Sequence, residues 1–105
     1  MAWLALAVAG LLEVVWAFAM KRSDGFTRLG PTIVMVVAMA ASFGLLAWAM
    51  RALPLGTAYA VWTGIGAVGA FAVGIVALGE PVSAARVGGA LMILSGIALL
   101  KAGAS

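Results

Sequence analysis

The chain has 105 residues, 67% of them apolar and only 9% charged, at a mean hydropathy of +1.27. Soluble domains carry about 25% charged residues, so this composition is one for lipid. Cysteine and histidine are absent, which excludes disulfides, thiol nucleophiles, Cys/His metal sites and histidine pH switches; three acids (Glu13, Asp24, Glu80) are too few for a carboxylate metal cage.

The first apolar run extends over residues 2–20, long enough to cross a bilayer core, which takes about 20 helical residues. Its one charged side chain is Glu13. An acid there costs about 2.5–3.5 kcal/mol on insertion scales for the related Asp, so it reads as functional; the alternative is a structural carboxyl kept protonated or bonded to a neighbouring helix. Ala17-Phe18-Ala19 resembles a signal-peptide cleavage site. No cation precedes the run, its length is too great, and Glu13 interrupts it, so the segment is expected to stay.

The charged turn Lys21-Arg22-Ser23-Asp24-Gly25 ends this run. The second covers 32–50, entered through Pro31, which suits a first helical turn. The connector around Pro54 leads to a third run over 56–78, stopped by Gly79-Glu80-Pro81. Ser83 is a plausible cap for the fourth, over 84–100, with Lys101 at its carboxyl end and a frayed tail from Ala102 to Ser105. Four helices with short loops predict one all-α, multi-pass membrane domain over 1–105, an up-down bundle with both termini on one side.

The net charge of +3 resides at helix ends (Lys21, Arg22, Arg28, Arg51, Arg86, Lys101), as headgroup anchors do; a nucleic-acid partner is not expected. Four cations on the side of loops one and three against two on the other give a small cytoplasmic bias to the former. So weak a bias leaves mixed insertion open.

Small residues mark helix contacts. Gly64-Ile65-Gly66 is a close-packing surface or a hinge, and the two readings are compatible. Gly89 and Gly96 lie two turns apart on one side of the fourth helix, which suits a seam between two subunits.

Gly10, Trp16 and Ala17 share the face of Glu13 by helical spacing, and Tyr59, Trp62 and Thr63 share another. Ser42 is the hydroxyl within the second apolar run. Alternatives stand beside each: an interfacial belt for Tyr59 and Trp62, packing for Trp16, a bond to its own helix for Ser42. Together they describe a cation and proton site: a carboxylate, ring faces that attract cations, and the Tyr59 and Ser42 hydroxyls as donors to the acid. Two copies would bring two Glu13 side chains to one cavity as a coupled set, and proton and cation would compete for the same oxygens. No nucleophile–base pair, metal set or phosphate loop supports an enzyme, and no cofactor is called for.

Glu13, Lys21 to Arg28, Ala41-Ser42-Phe43 and the string from Pro54 to Gly66 are the residues on which the chain resembles the small multidrug resistance family of four-helix exporters. The resemblance implies an antiparallel, dual-topology homodimer in the bacterial inner membrane that exchanges organic cations for protons. Glu13-Val14-Val15-Trp16-Ala17 and Leu100-Lys101 are similar to its guanidinium branch; drug exporters carry a small residue at the position of Trp16. Carried over singly, Glu13 is the shared proton and substrate acid, Trp16, Ser42, Tyr59 and Trp62 its support and walls, and Gly89 and Gly96 the dimer seam. A broader quaternary-ammonium exporter and, from the glycine-rich third helix alone, a passive channel or a non-transporting scaffold are the other readings.

Overall fold

A computed structural model describes residues 1–103 as four helices: α1 (Ala2–Arg22), α2 (Leu29–Ala49), α3 (Leu55–Leu78) and α4 (Ala84–Gly103). Each is long and apolar enough to cross a bilayer. α2 begins three residues before the expected start, at Leu29, with Pro31 still inside the first turn, where its missing N–H leaves no helix bond unmade. α4 runs on through Ala102 to Gly103, past the expected onset of fraying. Ala104 and Ser105, the end of that tail, lie outside the described residues.

The breaks have local causes. In loop one, buried Ser23 donates its hydroxyl to the Met20 carbonyl at 2.7 Å and accepts the Phe26 amide at 3.2 Å. Asp24, Gly25 and Phe26 then take positive φ in succession, a left-handed turn that reverses the chain. Gly79 ends α3 in the left-handed conformation, and both its N–H and that of Glu80 go to the Gly74 carbonyl. Ser83 accepts the Arg86 amide at 3.2 Å, the bond of an N-cap. Lys101 Nζ lies 5.7 Å from the centre of the Trp3 ring, so the end of α4 returns to the start of α1.

α1 is the central helix, packed against α2 on one side and α3 on the other, with α4 lying against α3. Lipid offers no hydrophobic drive for helices to associate, so close approach through small residues must supply the contact. Ala5, Ala9 and Gly10 line the buried side of α1, with Leu6, Leu46, Ala49, Ala58, Val61 and Trp62 completing the core. α4 contributes no buried residue. The result is a flattened body of 43 × 34 × 16 Å.

Gly10 shows how tight the α1–α3 crossing is: a Cβ there would stand 2.5 Å from Ile65 Cγ2. Gly10→Ala is therefore expected to cost about 1–3 kcal/mol by overpacking. Combined with Ile65→Ala it should cost less than the two single changes added together, as measured by detergent denaturation of the purified protein.

Candidate functional site

Glu13 lies slightly past the middle of α1 and turns toward α3. Its carboxyl rests against Gly66, so closely that a methyl added to that glycine would collide with it. The next residue, Val14, fits against Gly69, one turn beyond Gly66, in the same way. Glu13 Oε1 is shielded from solvent and has no hydrogen-bond partner among the described residues. In a membrane span such an oxygen is costly, and the groove supplies it with no donor.

Of the two hydroxyls expected to donate to the acid, Ser42 is engaged elsewhere. Ser42, fully buried on α2, donates to the Ala9 carbonyl of α1 at 2.7 Å and accepts Trp62 Nε1 of α3 at 3.0 Å. This corrects the expectation that Ser42 holds the carboxylate, and it equally excludes a bond of Ser42 to its own helix. The Ala9 carbonyl is the one that takes the Glu13 amide within α1, so this three-helix bond fixes the backbone turn that presents the acid. Trp62, at 6% exposure, is a core residue and not part of an interfacial belt.

Rings form a continuous wall next to the acid. Trp16 meets Phe43 edge-on at 6.4 Å between centroids, Phe43 meets Trp62 at 5.6 Å, and Trp62 meets Tyr59 at 5.7 Å. Trp16 Nε1 is buried and has no partner among the described residues. The sequence marks Phe43 only as part of the Ala41-Ser42-Phe43 string and assigns it no place in the site. Its position beside Ser42 was the available signal, and within an apolar run a phenylalanine looks like any lipid-facing side chain. Tyr59 and Phe43 are 54% and 46% exposed, so the wall is open on one side of the molecule.

The expected packing glycines divide into two groups. Gly10 and Gly66 face α1–α3 contacts, and Gly64 faces Ile93 and Ile97 of α4. α3 is unbroken through Gly64 and Gly66. Gly89 and Gly96 meet nothing within 4 Å of a built Cβ and leave an open face on α4. No group of three acids stands together among the described residues.

The family model described as Small Multidrug Resistance protein matches residues 1–100. This chain belongs to that family. Proteins named guanidinium exporter are similar to it over nearly its whole length: 61% identity over 96% of this chain and 97% of the relative in Yersinia pestis, and 57% over 96% of both in Citrobacter freundii and Salmonella typhimurium. Membership in the Small Multidrug Resistance family makes this a transporter of the bacterial inner membrane, crossing it several times, in agreement with the four spans.

For this member of the family the Ser42 bonds define a test of the site's framework. Ser42→Ala leaves the buried Trp62 Nε1 without an acceptor and is expected to destabilise the protein by about 1–2 kcal/mol. Trp62→Phe keeps the Ser42–Ala9 bond and leaves no orphaned donor, so its polar loss should be smaller, about 0.5–1 kcal/mol. Denaturation in mixed detergent micelles, read by tryptophan fluorescence, compares the two.

Proposed function

We propose that this chain exports guanidinium and small guanidinyl cations in exchange for protons, both competing for Glu13, and that it does so as an antiparallel homodimer. The observation that carries the reading is a carboxyl within a membrane span, one oxygen unpartnered, at the edge of an aromatic wall. The names of relatives at 57–61% identity supply the substrate class.

Guanidinium is planar and can give a carboxylate two parallel N–H bonds, which suits a carboxyl whose Oε1 the fold leaves unengaged. Aromatic faces attract the cation without competing for its donors. The Ser42–Ala9–Trp62 bonds hold the framework and leave the carboxyl to substrate or proton. Trp16, one turn from Glu13, narrows the space beside the acid and offers a flat face to a flat cation.

Exchange follows from electrostatics. A charged, empty carboxylate is expensive to carry through a hydrocarbon layer, whereas a protonated or cation-paired one is neutral. Only occupied sites then reorient, and each turn moves a proton one way or a cation the other. The dimer is supported by what one chain leaves uncovered: the outer side of the Tyr59 and Phe43 rings, and the face of α4 that carries Gly89 and Gly96. Inverting one copy against another supplies the internal inverted repeat that larger transporters carry in one chain.

In vesicles holding the purified protein, a pH gradient is expected to drive guanidinium uptake. Glu13→Gln should reduce it at least about 100-fold, the size of a lost charged double hydrogen bond; uptake unchanged in that variant overturns the mechanism. Trp16→Gly is expected to raise transport of a polyaromatic cation relative to guanidinium by about tenfold, since discrimination by pocket size is worth roughly 1–3 kcal/mol. Side-by-side uptake of the two cations reads the ratio.

A further inference from the structure

Glu80 has no part in the site described above, yet it stands at the mouth of a cleft that leads toward it. α1 and α3 touch closely where Glu13 meets Gly66 and Val14 meets Gly69. Toward loops one and three they part around a cleft of about 150 Å³. Ala17, Phe18 and Lys21 form its α1 wall; Val73, Leu78 and Glu80 face them. Its deep end includes Val14, the residue after the site acid.

The groups at this end are unevenly paired. Glu80 folds back on α3, where the bare Gly74 makes room for its carboxylate. Arg86 Nη2 is 3.6 Å from Glu80 Oε1, longer than a good hydrogen bond, and both side chains are partly exposed. Arg86 does not depend on that contact. It also donates Nη1 to the Pro81 carbonyl at 2.9 Å and lies 5.2 Å from the centre of the Phe71 ring. Arg22 is likewise held over the Phe18 ring at 5.2 Å. Lys21 has no ion-pair partner among the described residues, although it lines the same cleft as Glu80.

The geometry points to Glu80 as a gate residue that exchanges partners: loosely paired with Arg86 while the cleft is open, and paired with Lys21 when α1 and α3 close it. This rests on the transport reading above, in which Glu13 must be reached from one side at a time. Lys21 is suited to the part, having a compact charge on a flexible stem, while Arg86 stays docked by its two other contacts after releasing the acid. Every chain has one such end. An inverted pair therefore has one cleft at each membrane face, and the two need only be shut in turn. Glu80 and Lys21 are positioning residues, touching neither proton nor cation at Glu13.

The test separates binding from exchange in the reconstituted protein. Glu80→Gln and Lys21→Gln are each expected to slow guanidinium exchange about three- to fivefold while leaving its equilibrium affinity within about twofold, as for an ion pair at a partly wet edge. The double variant, Lys21→Gln with Glu80→Gln, should be no slower than the slower single change, because both remove the same pair, and its unchanged affinity shows that it is folded. Single variants that exchange at the parental rate, or a double variant whose losses multiply, overturn the gate alone. A parental protein that exchanges no guanidinium overturns the transport reading and the gate with it.

Discussion

A carboxyl in a membrane interior must find a donor, a cation or a proton, and the rest of this structure is arranged so that the chain itself does not supply the donor. The hydroxyl of Ser42 is spent on the Ala9 carbonyl, and the indole N–H of Trp62 is spent on Ser42. Glu13 lies on Gly66, a position with no side chain to offer it anything. A glycine in that groove also lets the carboxyl sit between α1 and α3 where any larger residue would push it out. The acid is held in place by shape and kept chemically open.

Rigidity and openness are distributed along the same helices. Ser42 of α2 carries the buried polar bonds, to Ala9 of α1 and from Trp62 of α3, which fixes the backbone turn before Glu13. The α1–α3 side is joined by bare glycines, with no side-chain hydrogen bond between the two helices among the described residues, a contact that depends on dispersion at close range. Such a contact is tight in one arrangement yet is not locked by hydrogen bonds. It widens into a cleft at one end, where the charged residues lie. α4 stands apart, attached to α3 through Gly64 and to α1 through Lys101 on Trp3.

The aromatic residues share a similar logic. Trp62 is anchored by its N–H and cannot turn freely, and Phe43 and Tyr59 lean on its two sides. Trp16 closes the row from α1. Three helices thus contribute to one wall, so its spacing reports the packing of the whole body. With half-exposed rings on a body 16 Å thin, the wall is open on one side.

Hydropathy and punctuation were enough to determine the four spans, their order and the turns between them, because a bilayer forces every backbone amide into a helix and leaves few places for charge. Glu13 was legible for the same reason: nothing else in its run carries charge. Trp16, Tyr59 and Trp62 could be named from helical spacing, and Ser42 as a hydroxyl within an apolar run, but their bonds could not. Spacing along one helix says which residues share a face and nothing about what a neighbouring helix brings to it. Only the tertiary structure decided that Ser42 turns to Ala9, that Phe43 completes the ring wall, and that Gly66 receives the carboxyl. The physical reason is that helix crossings are set by the small residues of both partners at once, and those pairings are absent from any single stretch of chain.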